Sequence, residues 1–158
     1  MCLIIDTCTF NAVFNEQSKH HHKYAAVLDW VNRRRGKIII GGTKYRNELK
    51  TEKILSILAE YQRKTKVVAI PDIYVDREAK RLKGVIGDKD FNDEHLVALV
   101  VVSGCRVLCT NDKRALPYIK CRALYPKGIR RPLIYQSERN AKLCSQDNIV
   151  EACEEHTR

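Results

Sequence analysis

The sequence lacks a long hydrophobic run: no apolar stretch approaches the roughly 20 residues that a membrane-spanning helix needs. Its first residues, Met1 to Asp6, also lack the basic start and long apolar segment of a secretory signal peptide. We therefore expect a protein that stays in the cytoplasm and has no contact with a membrane. At 158 residues the chain is too short for two typical domains but long enough for one with a substantial core.

The seven cysteines lack the spacing of a zinc site, because none of them belongs to a Cys-x-x-Cys pair. Cys105 and Cys109 fall on one face of a predicted strand, which favours a packed pair in the core over half of a metal site. We interpret all seven as small, buried or half-buried thiols, as a reducing compartment would keep them.

Acidic residues are the minority charge. There are 19 Asp and Glu against 29 Lys and Arg, and the formal net charge is +10. The basic residues recur in clusters at 33–37, 44–53, 63–66, 77–83 and 113–131. Because phosphate contacts dominate the affinity of proteins for nucleic acids, a polyanionic partner is the natural inference. A solvated basic surface explains the same charge, so charge alone does not decide between them.

Short apolar runs alternate with helical patterns along the chain, which is typical of a parallel sheet covered by helices. Strands are predicted at 2–6, 37–40, 67–70, 106–110 and 133–135. The segments between the predicted strands are long enough to cross back over the sheet. We therefore expect an α/β fold, a three-layer α/β/α sandwich with a central parallel sheet.

Helices are predicted between these strands, at 8–16, 23–34, 72–82, 93–103, 113–119 and 145–155. The segment 43–64 is also helical in pattern, but Tyr45 and Leu49 point to the opposite side from its later apolar residues. A break near Thr51, which can cap a second helix, resolves this conflict. Gly84 is predicted to end the helix before it and to begin a loop.

Four acidic residues stand where these elements would bring them together. Asp6 ends the first strand and Asp112 follows the fourth, whereas Glu48 lies within a helix and Asp93 begins one. In a parallel sheet, ligands gather at the carboxyl ends of the strands. Convergent carboxylates suit Mg²⁺ or Mn²⁺, which prefer oxygen ligands and promote phosphodiester hydrolysis. The four acids therefore predict a divalent-metal site on a basic protein.

Each acid also has an ordinary structural explanation. Asp6, Asp93 and Asp112 can cap the helices that follow them, and Glu48 can pair with a neighbouring lysine on the surface. For any one acid, this explanation is at least as good as a metal site. Neighbouring polar residues compete as well: Glu94 and Asp90 with Asp93, and Asn111 with Asp112. His95 would turn away from Asp93 on a helix, so we do not predict it as a base.

The residues around the four acids resemble the motifs of PIN-domain nucleases, in the same order along the chain. The motifs are Leu3-Ile4-Ile5-Asp6-Thr7, Asn47-Glu48-Leu49, Asp93-Glu94-His95-Leu96-Val97-Ala98-Leu99 and Thr110-Asn111-Asp112. Three independent caps and one surface ion pair are a poor explanation of this shared order. We take residues 1–136 as a PIN-like nuclease domain and residues 137–158 as a C-terminal extension, expected to be helical.

The resemblance implies an endoribonuclease that depends on Mg²⁺ or Mn²⁺. Asp6 would be the central metal ligand, joined by Asp93 and Asp112. Glu48 would bind a metal directly or through water, or orient the attacking water. Contacts with RNA are expected from the polar and basic residues near the motifs, namely Thr7, Lys44, Arg46, Thr110, Asn111, Lys113 and Arg114.

The resemblance also suggests partners. Many such proteins are VapC-type toxins, each paired with a small antitoxin that plugs its site, and others process RNA or act in defence. RNA, a small protein inhibitor and a second copy of the chain are thus the expected partners. Cys8 stands where many toxins carry serine, which leaves any hydroxyl role to Thr7.

Two other interpretations stay open. One is a PIN-like module that binds RNA or protein without cleaving. The other is a phosphatase of the haloacid dehalogenase type, since Asp6-Thr7-Cys8-Thr9 approximates its opening motif. Cys8 occupies the place of that motif's second acid, which counts against the phosphatase.

Overall fold

The computed structural model of the chain describes residues 2–33 and 35–154. Five strands form one sheet: β1 (Cys2–Ile5), β2 (Lys37–Gly41), β3 (Val67–Ile70), β4 (Val107–Cys109) and β5 (Leu133–Tyr135). All neighbouring strands are parallel, in the order β3-β2-β1-β4-β5. Helices flank the sheet, and the predicted three-layer α/β/α sandwich is confirmed.

The helices are α1 (Thr7–Phe14), α2 (Ala25–Arg33), α3 (Thr43–Glu48), α4 (Glu52–Arg63), α5 (Asp72–Ile86), α6 (Glu94–Ser103), α7 (Leu116–Ile119) and α8 (Glu151–Glu154). Short 3₁₀ turns occupy His21–Lys23, Arg122–Leu124, Glu138–Leu143 and Gln146–Asn148. Within the described residues, no helix has both the length and the apolar character needed to cross a membrane. Arg34 and residues 155–158, which belong to the helices predicted at 23–34 and 145–155 and to the extension, lie outside the described residues.

The central strand β1 is buried along its whole length. Leu3 pairs in register with Ile38 of β2 on one side and with Val107 of β4 on the other. Because a strand covered on both faces has no solvated side, its sequence is a continuous apolar run rather than an alternating one. This is why the short runs of Leu, Ile and Val identified the strands correctly.

The order of the strands reverses between β1 and β4. The chain moves from β1 outward through β2 to β3, then crosses back over the sheet to place β4 on the other side of β1. In such sheets a crevice opens at the carboxyl ends of the two strands where the order reverses. Asp6 directly follows β1 and Thr110 directly follows β4, so both residues lie at this switch point.

The predicted break near Thr51 is confirmed. Helix α3 ends at Glu48, and α4 begins at Glu52 with Thr51 as its N-cap, whose side chain accepts from the Ile54 amide at 3.4 Å. The break allows Tyr45 of α3 and Leu49 to be buried although α4 presents another face to the core. It also fixes the position of Glu48 at the end of a short helix.

The prediction that Gly84 ends a helix is wrong. Helix α5 continues through Gly84 to Ile86 and ends at Gly87, whose φ of 64° is the left-handed conformation common at helix ends. Leu82 is fully buried and Ile86 is partly buried against the core, so packing carries the helix past a residue with poor helical propensity. The predicted loop shortens accordingly.

The C-terminal residues pack back onto the domain. The 3₁₀ turn Glu138–Leu143 contacts β5 and α2, and Cys153 of α8 forms a disulfide with Cys2 of β1. The expectation that all seven cysteines are thiols is therefore wrong for this pair. The pairing was not visible in the sequence because 151 residues separate the two cysteines. Disulfides are rare in the cytosol, so this bond does not fit the expected reducing compartment.

Gly42 and Gly84 provide a matched test of the packing around α5. Gly42 has φ +86°, and a Cβ added there would lie 2.7 Å from Val75 Cγ1, whereas nothing lies within 4 Å of a Cβ added at Gly84. We expect Gly42→Ala to lower the free energy of unfolding by roughly 1–3 kcal/mol. Gly84→Ala is expected to raise it by roughly 0.5–1 kcal/mol, as in an exposed helix interior. Urea unfolding measures both, and equal effects of the two substitutions would contradict the described geometry.

Candidate functional site

Asp6 is fixed at the switch point by its neighbours. Its side chain is buried, with 6% of the residue exposed, and Thr110 Oγ1 donates a hydrogen bond to Asp6 Oδ2 at 2.6 Å. Asp6 Oδ1 accepts from the Cys8 amide at 3.4 Å, which makes Asp6 the N-cap of α1. The ordinary capping role is thus real, but it uses one carboxylate oxygen only weakly. Asp6 therefore both caps α1 and presents a carboxylate at the carboxyl end of β1.

Glu48 comes close to Asp6 from a different layer of the fold. Thr7 Oγ1 lies 3.4 Å from Asp6 Oδ1 and 3.4 Å from Glu48 Oε2, so one hydroxyl separates the two carboxylates. Tyr45 holds α3 in place, because its buried hydroxyl donates to the Ile5 carbonyl at the end of β1. Helix α3 therefore aims its last residue at the end of β1.

His95 lies behind Glu48. Its Nε2 is 3.3 Å from Glu48 Oε2, only 2% of the residue is exposed, and its Nδ1 has no hydrogen-bond partner within the described part of the chain. Sequence reasoning missed this contact because the two residues are 47 positions apart. The one signal available was a polar side chain inside an otherwise apolar helix.

Asp93 occupies the N-cap position of α6, but its side chain makes no capping hydrogen bond. A capping hydrogen bond therefore does not explain this acid. Burial raises the pKa of the Asp93 carboxyl most, and the negative charge of Asp6 raises it further. His95 lowers this pKa, Asp112 raises it by a smaller amount, and Lys44 lowers it least. The acids are thus close enough to repel one another.

Asp112 is also present at this edge, but it is already paired. Its amide donates to Thr110 Oγ1 at 3.1 Å, which places it beside Asp6. Its carboxylate binds Arg114 through the Arg114 amide at 2.9 Å and through Nη2 at 3.1 Å. These hydrogen bonds from Arg114 lower the pKa of the Asp112 carboxyl. Arg114, predicted to contact RNA, is bound to a predicted metal ligand.

Four of the other predicted RNA contacts already bind acidic side chains, and two are exposed. Lys44 Nζ pairs with Glu94 at 3.1 Å, and Arg46 Nε pairs with Asp72 at 2.6 Å. Thr7 and Thr110 are occupied by the acids already described. Asn111 and Lys113 are exposed beside Asp112.

The donor set fits a hard divalent cation in its chemistry, although not as a finished cage. Within residues 2–33 and 35–154, no three Asp, Glu, His or Cys side chains are grouped so as to hold a metal ion. The available ligands are nevertheless carboxylate oxygens, the type that Mg²⁺ and Mn²⁺ prefer. A cavity of about 360 Å³ opens over Asp93, Asp112 and Arg114. Asp93 and Asp112 line this cavity, and the Thr110 hydroxyl connects Asp112 to Asp6. These three carboxylates are the candidate ligands, with Asp112 available if Arg114 moves aside.

The chain matches no protein-family model, no curated protein and no solved structure. The likeness to PIN-domain nucleases therefore remains a likeness of four short motifs, and the geometry described above carries any functional conclusion.

Asp93→Asn should stabilise the protein in the absence of divalent metal. The pKa of Asp93 is raised in the folded state, so its charged form costs stability once the pH exceeds the ordinary carboxyl range. The melting temperature of the variant should exceed that of the wild type at neutral pH, and the difference should vanish at acidic pH, where both states hold the proton. Asp147→Asn, in an outlying 3₁₀ turn, is the control and should show no such pattern.

The same melting experiment reports metal binding without any assay of activity. Titrating Mn²⁺ should raise the melting temperature of the wild type, since a ligand that binds only the folded state stabilises it by mass action. The rise should be lost or strongly reduced in Asp93→Asn. An equal rise in both proteins would remove Asp93 from the ligand set.

Proposed function

We propose that this protein is a divalent-metal-dependent endoribonuclease that resembles PIN-domain nucleases. The observation that carries the proposal is geometric: Asp6 and Asp112 both bind the Thr110 hydroxyl at the switch point, and Asp112 and Asp93 line one cavity. Mutually repelling carboxylates at this edge cost the folded chain stability, which is a common property of sites built for a cation. The net charge of +10 around them suits a polyanionic substrate.

Asp6 and Asp93 would hold the Mg²⁺ or Mn²⁺ ion, with Asp112 as the third ligand. When bound, the ion supplies polarisation of the scissile phosphate, activation of a water molecule and neutralisation of the leaving oxygen. Thr110 keeps Asp6 oriented through its short hydrogen bond. The expected products are a 5′-phosphate and a 3′-hydroxyl.

Glu48 is the residue best suited to handle the attacking water. It is partly exposed, with 34% of its side chain accessible, whereas Asp6 is buried. A carboxylate in this position would accept a hydrogen bond from a water molecule and so orient the lone pair of the water oxygen towards the phosphate. Thr7 and His95 both contact Oε2 of this carboxylate, which limits its rotation.

A non-cleaving PIN-like module is the second candidate, and a specific observation favours it. The ligands do not form a closed group within the described residues, and Arg114 already neutralises Asp112. A protein that used this edge only to bind RNA or a protein inhibitor would keep such a pairing permanently.

RNA cleavage distinguishes the two candidates. The purified protein is expected to cleave mixed RNAs with Mg²⁺ or Mn²⁺ and to lose activity in EDTA. Asp6→Asn and Asp93→Asn should each reduce the rate roughly 100-fold or more, since loss of a metal ligand removes several kcal/mol of transition-state stabilisation. Asp147→Asn should cleave like the wild type.

Two results would contradict the nuclease. Cleavage that persists in EDTA or in both variants would point to a contaminating enzyme. If the wild type binds RNA without cleaving it, and the Arg114→Gln variant, in which Asp112 is released from its ion pair, does not cleave RNA either, the non-cleaving module would be favoured.

His95 offers a test of how Glu48 is positioned. The side-chain amide nitrogen of Gln lies near where Nε2 of His lies, and that of Asn lies near Nδ1, so only Gln can still reach Glu48. We expect His95→Gln to keep most of kcat and His95→Asn to lose it by about 10–100-fold, as for residues that orient a catalytic group. The KM for RNA should not change in either variant. Equal loss in both, together with a lower melting temperature, would mean that His95 is only a packing residue.

A further inference from the structure

A second cavity, of about 590 Å³, lies beside the acids between α3, α5 and α6. Glu48 forms part of its wall, so the cavity adjoins the candidate site. Three lysines, Lys44, Lys80 and Lys83, also line it. Cavities of this size accommodate ligands as large as a nucleotide.

The buried carboxylate of Glu94 organises two of these lysines. Only 5% of the Glu94 side chain is exposed, and Lys44 Nζ and Lys83 Nζ each lie 3.1 Å from its Oε1. Burying a carboxylate is costly unless a cation is paired with it, and one lysine is sufficient for that purpose. The second lysine leaves this group with a net charge of +1 at the wall of the cavity.

Both ammonium groups remain accessible to a ligand. The Lys44 and Lys83 side chains are 41% and 57% exposed, although they share a buried acceptor. An ammonium group has three N–H donors. Lys83 uses one on Glu94, and Lys44 uses one on Glu94 and one on the Asn92 carbonyl, so each lysine can still donate to a phosphate. Anchoring on Glu94 also restricts two flexible side chains before the ligand arrives, which reduces the entropy lost on binding. Lys80 adds a third positive charge at the same wall, whereas Glu48 and Asp76 add two negative ones, and the Asp76 carboxylate is held by the Thr43 amide and hydroxyl.

We propose that this cavity binds the nucleotide next to the cleaved bond of an RNA strand, with Lys44 and Lys83 contacting its phosphate and Glu94 positioning both lysines. The inference rests on the proposed ribonuclease function, because it is the shared wall at Glu48 that places the cavity beside the scissile bond. It assigns roles to Lys83 and Glu94, which the motifs did not select as site residues.

Binding of labelled single-stranded RNA to the Asp6→Asn protein in EDTA tests the proposal without cleavage. Adding Lys83→Gln should weaken binding roughly several-fold and reduce the slope of log K against log salt by about 0.7, the value for one phosphate contact on a single strand. The fold should be kept, because Lys44 still neutralises Glu94. Lys44→Gln, with Lys83 retained, should behave in the same way.

Lys142→Gln is the matched control, since it makes the same change in charge at an exposed lysine in the 3₁₀ turn that packs on α2 and β5. It should leave the salt slope unchanged. Equal effects of Lys83→Gln and Lys142→Gln, or no effect of either, would overturn the proposal, as would the absence of RNA binding by the parent protein.

Failure of this subsite and failure of the ribonuclease are separable. A wild-type protein that cleaves RNA with Mg²⁺ while Lys83→Gln binds normally would refute the subsite alone. A specific loss of affinity in Lys83→Gln, without cleavage by the wild type under any condition, would refute the nuclease and support a nucleotide-binding cavity.

Discussion

The hydrogen bond between Thr110 and Asp6 joins the ends of the two central strands, and the arrangement of the site depends on it. It is short, at 2.6 Å, and buried, and it connects residues 104 positions apart in the chain. The sheet makes the contact possible because β1 and β4 are parallel neighbours whose carboxyl ends coincide at the switch point. Glu48 and Asp93 then reach this point from helices, and the amide of Asp112 is tied to the same Thr110 hydroxyl.

The site concentrates negative charge on a protein whose surface is mostly positive. Opposite charges are separated into neighbouring regions: carboxylates at the switch point, and lysines held by Glu94 in the adjoining cavity. A field of this form attracts a polyanion through the lysines and a divalent cation through the acids. Neither region alone suits both an RNA strand and a metal ion. Because the two regions are adjacent, the protein could bind both at once, as the nuclease proposal requires.

The fold was predictable from the sequence because its signals are local. Buried parallel strands give continuous apolar runs, and the clash between Tyr45 and the later helix residues located the break at Thr51. Gly84 does not end its helix because the packing of Leu82 and Ile86 outweighs the low helical propensity of one glycine. The Cys2–Cys153 bond was invisible for the opposite reason, since no local pattern links two residues at the ends of a chain.

The candidate site was predictable only in part. Position along the chain singled out four acids as candidates. Three of them lie next to the end or start of an element, whereas Asp112 lies in the loop between β4 and α7. Position did not reveal their partners. The Glu48–His95 contact and the burial of Glu94 between Lys44 and Lys83 depend on the tertiary structure, and the pairing of Asp112 with Arg114 depends on the side-chain rotamers. Partners decide whether a carboxylate is available, so the sequence could name ligands without ranking them.

The pair of Asp112 and Arg114 is the feature that most clearly opposes a metal site, yet its exposure makes it compatible with one. The Arg114 side chain is 91% exposed, and ion pairs in such surroundings contribute little to stability because water and salt screen them. A divalent cation at Asp6 and Asp93 would compete for Asp112 with a much stronger local charge. The displaced guanidinium would then stand at the rim of the acids, where its planar group of donors matches a phosphate. We therefore expect Arg114 to neutralise Asp112 before metal binds and to face the substrate afterwards.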